Sequence, residues 1–138
     1  MTVGKPCALP ISGGVLLGPG CADPYGRKAL RTSMGNALVR PLRRADLDAA
    51  SLVRSAGLRI LAAELGPDAR PPEEFRSGKP CALVLGNEGW GLPAEVSDAC
   101  DGRVVVPMAR DVDSLNVGAA GAILMYALFG PPGSTSAV

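Results

Sequence analysis

Short apolar runs alternate with longer mixed segments along the chain, and this pattern predicts strands and helices in turn. The apolar runs predict strands at 15–17, 58–63, 81–85 and 103–106, with a weaker candidate at 37–41. The mixed segments predict helices at 24–33, 46–56, 93–100 and 115–129. Strands that alternate with helices indicate an α/β fold, with a mostly parallel sheet and helices on both faces.

Residues at the predicted helix ends support these boundaries. Asp23 is placed to cap the first helix, with Pro24 at its first position, and Gly35 is placed to end it. Asp46 and Gly57 have the same roles for the second helix.

Composition indicates one domain with an unevenly charged surface. The chain has 138 residues, of which 47% are hydrophobic, and a formal net charge of +1. Between 27 and 44 no acidic residue interrupts the basic residues Arg27, Lys28, Arg31, Arg40, Arg43 and Arg44. Such a basic face would suit phosphates, although a solvated surface explains the charges equally well.

The types of residue present also argue against several classes of protein. Four cysteines occur without a CxxC pair, and the chain has no histidine, so we expect neither a zinc site nor a disulfide scaffold. The start of the chain lacks the apolar core of a secretory signal. The longest apolar stretch, 117–129, is too short to span a bilayer core of about 30 Å. These features predict a cytoplasmic protein without a metal or a membrane span.

The first candidate for chemistry is the glycine-rich segment that follows the buried strand at 81–85. Gly86, Gly89 and Gly91 allow backbone torsions that other residues resist, and let a ligand approach the main chain. A tight turn without a ligand explains these glycines about equally well. Glu88 lies among them, where a carboxylate is well placed to meet a substrate, or is simply a solvated loop acid.

The second candidate runs from the strand near 104–106 into the last helix. Ser114 or Asp113 is placed to cap this helix, and capping is the simpler interpretation of Ser114. Asn116 is a poor helix former just inside the first turn, so we expect its side chain to bond a specific partner. The small residues at 118–122 would allow close packing against neighbours.

Together these segments resemble the SpoU (TrmH-like) branch of the SPOUT methyltransferases. The resemblance runs from residue 15 to residue 128 and is carried by GPGCADPYGRKALRTSMG at 18–35, LVLGNEGWGL at 83–92, VVVPM at 104–108 and DSLNVGAAGAILMYAL at 113–128. It implies an α/β fold with a carboxy-terminal trefoil knot, an exception to the rule against knots. It also implies a homodimer in which the partner subunit completes the site.

The function implied by this resemblance is methyl transfer from S-adenosylmethionine to a ribose 2′-hydroxyl of rRNA or tRNA. Matched residue by residue, the cofactor positions fall on Leu85, Gly86, Val106, Met108, Leu115 and Ala119. The polar active-site positions of the family fall on Glu88, Ser114 and Asn116. The family segment at 18–35 makes Arg27, Lys28 and Arg31 candidates for RNA contacts.

Residues 1–14 depart from the family, whose members begin this domain with a strand and a helix carrying an asparagine and an arginine. The arginine is the group assigned to activating the ribose hydroxyl, and 1–14 shows neither the pattern nor a helix. A truncated or wrongly joined gene model and a genuinely shortened protein both remain open explanations. We therefore expect a domain at 15–130 that is incomplete at its amino terminus, and a flexible tail at 131–138.

Two other functions are alternatives to the methyltransferase. A non-catalytic module would keep the cofactor and RNA sites without the activating arginine. A dinucleotide-binding oxidoreductase is disfavoured, because no GxGxxG opens a helix and no acidic residue follows at the required distance.

Overall fold

The computed structural model describes residues 13–45, 49–76, 80–109 and 115–129. In these ranges the elements are β1 (Val15–Leu17), α1 (Arg27–Thr32), β2 (Leu42–Arg44), α2 (Ala49–Ser55), β3 (Arg59–Ala63), β4 (Cys81–Leu85), α3 (Ala94–Asp98), β5 (Gly102–Val104) and α4 (Val117–Phe129). Short 3-10 helices occur at Asn36–Leu38 and Pro72–Phe75. The predicted cap at Asp46, the tail at 131–138 and most of the 1–14 segment lie outside the described residues.

All of the described strand pairs are parallel, which confirms the predicted sheet type. β3 lies between β4 and β5, with Leu61 opposite Leu83 on one side and opposite Gly102 on the other. β1 pairs with β2, and Val15 lies opposite Leu42. Parallel pairing brings the carboxyl ends of β3, β4 and β5 to one edge of the sheet.

Helices cover both faces of the three-stranded sheet, as the sequence predicts. Alternate side chains along a strand point to opposite faces, so each strand supplies two packing layers. One layer joins the sheet to α4 through the buried residues Leu61, Leu83, Leu85, Val104, Leu124 and Met125. The other layer joins it to α2 and α3 through Val53, Ile60, Val84 and the partly buried Val96.

The last helix lies very close to β4. A Cβ atom placed on Gly121 would come within 2.8 Å of Leu85 Cδ1, closer than real side chains tolerate. A glycine at this position therefore lets α4 approach β4 directly. Among the described residues, no helix is long and apolar enough to cross a membrane.

The start of the first helix differs from the prediction. α1 begins at Arg27 rather than at Pro24, and its N-cap is Gly26, which makes no side-chain cap bond. The Tyr25 backbone N–H donates to Asp23 Oδ1 at 3.1 Å, and the Gly26 N–H donates to the Asp23 carbonyl at 3.2 Å. Asp23 therefore folds 23–26 into a local turn, a competing role that is common for aspartate.

The predicted strand at 37–41 is wrong. Asn36–Leu38 forms a 3-10 helix, and the strand lies further on at Leu42–Arg44. Ala37 is buried against Val15 and Leu17, and this packing outweighs the weak strand preference of the segment. β5 also ends two residues before the predicted boundary, at Val104.

An aspartate fixes the amino ends of β3 and β5. The Ile60 N–H donates to Asp101 Oδ2 at 2.7 Å, and the Asp101 N–H donates back to the Ile60 carbonyl at 2.8 Å. Arg54 Nη2 donates to Asp101 Oδ1 at 3.2 Å. The bond from Ile60, followed by the contact with Arg54, lowers the pKa of Asp101 below its ordinary value.

The first two helices end with the same hydrogen-bond pattern but with different residues in the left-handed position. After α2, Gly57 has φ 72° and its N–H donates to the Arg54 carbonyl at 2.9 Å. After α1, Met34 has φ 51° and its N–H donates to the Arg31 carbonyl at 3.2 Å. Gly35 follows with φ 80°, so the predicted helix end is confirmed. A side chain in this conformation is strained, and that of Met34 is 88% exposed, so it gains little from burial.

We expect Met34→Gly to stabilise the protein. Glycine removes a strain of roughly 1–2 kcal/mol, and its greater freedom in the unfolded chain costs roughly 0.5–1 kcal/mol, so the net gain is centred on about 0.7 kcal/mol. Urea unfolding of both proteins measures this difference. Gly57→Ala is the matched control, because it introduces a side chain at the equivalent position and should lower stability. An unchanged or lower midpoint for Met34→Gly beside the expected loss in the control would contradict the strain at Met34.

Candidate active site

A cavity of about 440 Å³ lies beyond the carboxyl ends of β3, β4 and β5. Ligands of parallel α/β sheets commonly bind at this edge. Its walls come from the ends of these strands, the segment after β4, the segment after β5 and the first turns of α4: Ala63, Glu64, Leu65, Leu85, Gly86, Asn87, Glu88, Gly91, Leu92, Val104, Val105, Val106, Met108, Leu115, Asn116, Val117, Ala120 and Leu124.

The segment after β4 is a tight hairpin rather than an open loop. The backbone groups of Asn87 and Gly91 exchange two hydrogen bonds, both of 2.9 Å. Gly91 has φ 70°, which favours glycine, and closes the three-residue loop 88–90. Asn87 Oδ1 also accepts a bond of 2.7 Å from the Gly89 N–H. These bonds fix the direction in which the loop side chains leave the backbone.

Gly86 is required where this hairpin folds back on the end of β4. A Cβ atom at Gly86 would lie 2.4 Å from the Gly91 carbonyl carbon and 2.7 Å from the Leu92 nitrogen. Both contacts are with backbone, which cannot move aside as a flexible side chain can. A glycine at position 86 therefore allows the two backbone segments to approach each other this closely.

Asn116 is the N-cap of α4. Its Oδ1 accepts hydrogen bonds from the backbone N–H groups of Gly118 at 2.9 Å and Ala119 at 3.3 Å. The Ala120 N–H donates to the Asn116 carbonyl at 2.9 Å, which starts the helix. The capping role predicted for Ser114 or Asp113 therefore falls to Asn116, because the helix begins two residues later than expected. Ser114 and Asp113 lie outside the described residues.

The same asparagine connects the two candidate segments. Asn116 Nδ2 donates to Glu88 Oε1 at 3.1 Å. Because the amide oxygen is engaged by α4, the amide NH₂ is the group left to face the carboxylate. The specific partner that the sequence predicts for Asn116 is thus Glu88, across the mouth of the cavity.

A second carboxylate, Glu64, lies on the cavity wall at the end of β3. Arg103 Nε donates to Glu64 Oε1 at 2.6 Å, and the Ser97 hydroxyl donates to the same oxygen. Arg103 Nη1 also donates to Asp68 at 2.6 Å. The bonds to Glu64 and then Asp68 raise the pKa of Arg103, and Arg103 in turn lowers the pKa of Asp68.

Glu64 was missed by the sequence analysis. The available signal was its position directly after a buried strand that neighbours β4, since carboxyl ends of parallel strands share one edge. Its charge is already compensated by Arg103, so Glu64 holds a cavity wall in place.

Most of the cofactor positions implied by the family resemblance line the cavity. They are Leu85, Gly86, Val106, Met108 and Leu115, and the polar candidates Glu88 and Asn116 join them. Ala119 differs: it is exposed, and Ala120 lines the cavity instead, because one residue turns a helix by about 100°. The roles of these residues in binding stay predictions.

The candidate RNA contacts Arg27, Lys28 and Arg31 lie elsewhere, on the surface of α1. All three are exposed, and none of them lines the cavity. In the described part of the chain the cavity wall contains neither arginine nor lysine. No cluster of histidine, cysteine or acidic residues that could hold a metal occurs within the same ranges.

Comparison with known proteins places this architecture in a family. The SpoU rRNA Methylase family matches residues 7–126. An uncharacterized tRNA/rRNA methyltransferase of Mycobacterium tuberculosis is 42% identical over 117 residues, covering 81% of this chain and 41% of that protein. A 23S rRNA (guanosine(2553)-2′-O)-methyltransferase of Bacillus subtilis is 34% identical, covering 84% of this chain and 47% of that protein.

Solved structures with a similar fold are also rRNA or SpoU methyltransferases. An AdoMet-bound rRNA methyltransferase from Sinorhizobium meliloti is 25% identical with a TM-score of 0.78, covering 91% of this chain and 50% of that chain. The SpoU methyltransferase AviRb from Streptomyces viridochromogenes, in complex with AdoMet, is 26% identical with a TM-score of 0.76, covering 91% and 49%. The chain spans less than half the length of the two curated relatives. On the extent of the family match, the chain belongs to the SpoU rRNA Methylase family.

Proposed function

We propose that this chain is the cofactor-binding part of an RNA methyltransferase that acts on a ribose 2′-hydroxyl of rRNA or tRNA with S-adenosylmethionine. The observation that carries the proposal is the cavity beyond β3, β4 and β5, with the bonded pair of Glu88 and Asn116 at its mouth. Relatives described as a 2′-O-methyltransferase and as AdoMet-bound structures support the class of reaction and the cofactor.

The residues of the cavity suit S-adenosylmethionine. Its volume of about 440 Å³ falls within the range of roughly 300–1,000 Å³ typical of small-molecule sites. Leu85, Val106 and Leu115 offer apolar contact to an adenine ring, and Gly86 lines the cavity beside them. Glu88 offers a negative charge that suits a cationic ligand. The bound cofactor supplies a methyl group that its sulfonium has already activated for transfer.

The polar pair at the mouth is proposed to orient the substrate. Glu88 accepts a hydrogen bond from Asn116, which restricts the carboxylate to one side of the opening. From there the carboxylate can accept a hydrogen bond from a ribose hydroxyl, or align a basic group that removes its proton. The chain has no histidine to serve as that base. Ser114 is proposed to assist in positioning, as the family resemblance implies.

A non-catalytic module is the second candidate function. It is favoured by one observation, that the described residues bring no arginine or lysine to the cavity wall. Such a protein would bind S-adenosylmethionine and RNA without transferring the methyl group. A second subunit that supplies the basic group would instead preserve catalysis.

We therefore include a homodimer in the proposal. Ala119, Ile123 and Tyr126 are exposed at helical spacing on one side of α4, so they form an uncovered stripe. α4 begins at Asn116, in the site, and a partner packed on this stripe would reach the mouth of the cavity. The basic residues of α1 are proposed to bind RNA phosphates, with an affinity that falls as salt rises.

The trefoil knot is also part of the proposal. It is supported by the similarity to SpoU structures and by the position of α4, whose first turns border the cavity beside the hairpin after β4. A crystal structure that traces residues 110–114 would test the crossing.

Calorimetry and a transfer assay test the function directly. We expect S-adenosylmethionine to bind in a one-to-one ratio and NAD to show no binding. With labelled S-adenosylmethionine and total RNA from a strain that lacks the gene, we expect label in RNA, recovered as 2′-O-methyl nucleosides by mass spectrometry. Cofactor uptake without transfer would favour the non-catalytic module, and no uptake of either S-adenosylmethionine or its demethylated product would reject both.

Substitution of Asn116 separates its capping role from its role in the site. Asn116→Ser keeps an oxygen that can cap α4 but removes the amide nitrogen that reaches Glu88, because the shorter serine side chain has a single polar atom. We expect its melting temperature and cofactor affinity to stay close to wild type while kcat falls by roughly tenfold or more, the factor equivalent to about 1.4 kcal/mol. Steady-state kinetics and thermal melting measure the two effects separately.

Two further variants control this experiment. Asn116→Ala removes both interactions and should lose about 1 kcal/mol of stability in addition to activity. Glu88→Gln keeps an acceptor for Asn116 but removes the charge, and we expect its kcat to fall without a change in melting. Full activity in Asn116→Ser would show that the bond to Glu88 has no part in methyl transfer.

Substitution on the exposed stripe of α4 tests the homodimer. Ile123 is 46% exposed, so Ile123→Glu should be tolerated by an isolated chain but should place a charge in a buried interface. We expect light scattering to show a dimer for wild type and a monomer for the variant. Val39→Glu is the control, because it adds the same charge at a position that is 75% exposed outside α4. A monomeric wild type, or a variant that stays dimeric, would contradict the interface.

A further inference from the structure

The only tryptophan of the chain stands on the surface beside the candidate site. Trp90 is the last residue of the three-residue loop 88–90, and it is 81% exposed. Tryptophan side chains are usually largely buried, because they carry a large apolar area. The proposed function does not use Trp90, and it does not line the cavity. Its exposure therefore requires a separate explanation.

The loop that carries Trp90 holds its shape without any help from the indole ring. Paired backbone bonds between Asn87 and Gly91 close the loop, and Asn87 Oδ1 bonds the Gly89 N–H. The contact of Gly86 with Gly91 anchors its base. A ring presented on a fixed loop loses little conformational entropy when a flat ligand stacks on it.

We infer that Trp90 is a stacking platform for an unpaired base of the RNA substrate, next to the ribose that enters the site. Single-stranded RNA bases stack on aromatic side chains without needing a particular sequence. Glu88, two residues away in the same loop, marks the mouth of the cavity through its bond to Asn116. Because consecutive Cα atoms are about 3.8 Å apart, the backbones of Glu88 and Trp90 lie within about 8 Å of each other. The inference rests on the proposed function, because it concerns how that substrate is held.

The surroundings of Trp90 favour a base over a protein partner. Protein interfaces place their aromatic anchors within a continuous apolar patch. The neighbours of Trp90 in the chain are Glu88, Gly89 and Gly91, which offer a charge and two residues without side chains. An aromatic ring in the same loop as the Glu88 carboxylate suits a planar, partly polar ligand such as a nucleobase.

Fluorescence of this single tryptophan gives a direct measurement of stacking. A short oligoadenylate is titrated into the full chain, with excitation at a wavelength that the two tyrosines do not absorb. An abasic oligomer with the same number of phosphates is the matched ligand control. We expect saturable quenching by the oligoadenylate and none by the abasic oligomer, and weaker binding of the abasic oligomer in a filter assay.

Three variants of Trp90 separate the ring from its apolar bulk. Trp90→Phe keeps an aromatic face, Trp90→Leu keeps an apolar side chain without one, and Trp90→Ala removes both. Stacking on one base is worth roughly 1–3 kcal/mol, so we expect the leucine and alanine variants to bind the oligoadenylate roughly tenfold or more weakly. The phenylalanine variant should bind nearly as well as wild type. Melting temperature and affinity for S-adenosylmethionine should not change in any of them, because Trp90 is exposed and outside the cavity.

Several results would overturn the platform. Equal affinity of Trp90→Leu and wild type would remove the stacking role, as would RNA binding that leaves the fluorescence unchanged. A tryptophan shielded from iodide in the free protein would show that a second subunit covers it. Failure of wild type to bind the oligoadenylate would also reject the inference. Failure of the proposed function is seen separately, as the absence of cofactor uptake by wild type.

Discussion

The candidate site depends on one backbone contact, the approach of Gly86 to Gly91 and Leu92 after β4. No atom beyond hydrogen fits on the Gly86 Cα, since a Cβ would lie 2.4 Å from the Gly91 carbonyl carbon. This contact turns the hairpin back over the end of β4 and leaves the cavity beside it. It also sets the direction of the loop 88–90, and thereby brings Glu88 to Asn116 and leaves Trp90 outside. The parallel strands form the edge of the sheet at which the cavity lies, and the contact of Gly86 with Gly91 and Leu92 determines the shape of the cavity wall there.

The elements that the sequence predicted well are those whose signal is local and strong. β4 has the predicted bounds, 81–85, because a run of five apolar residues ends at Gly86, where the chain folds back on itself. Gly57 ends α2 as predicted, because its left-handed conformation follows from residue type. The prediction was wrong at 37–41, where burial of Ala37 beneath β1 decides the structure. That packing joins segments about twenty residues apart, which periodicity within a short window does not detect.

Some features of the candidate site were also predictable from the sequence, and others were not. Family resemblance indicated several of the residues that border the cavity, but neither Glu64 nor the partners that hold these residues. Asn116 was expected to have a specific partner, yet Glu88 lies 28 residues earlier in the chain and only the fold brings them together. The cap of α4 and the geometry of the site thus share one side chain, whose oxygen serves the helix and whose nitrogen serves the carboxylate. Few other residues could satisfy both, since serine has no second polar atom to reach the carboxylate and aspartate would place a second negative charge beside Glu88.

The two carboxylates on the cavity wall have different electrostatic surroundings, and this difference bears on what the mouth attracts. Glu64 is bonded by Arg103, so its charge is largely compensated within the protein. The bond from Asn116 to Glu88 comes from a neutral amide, which orients the carboxylate. In the described residues no arginine or lysine joins them on the cavity wall. A carboxylate at the mouth would attract a cationic sulfonium, and a basic group brought by a partner subunit would offset its repulsion of the phosphates beside the target ribose, while the basic surface of α1 would attract phosphates further along the RNA.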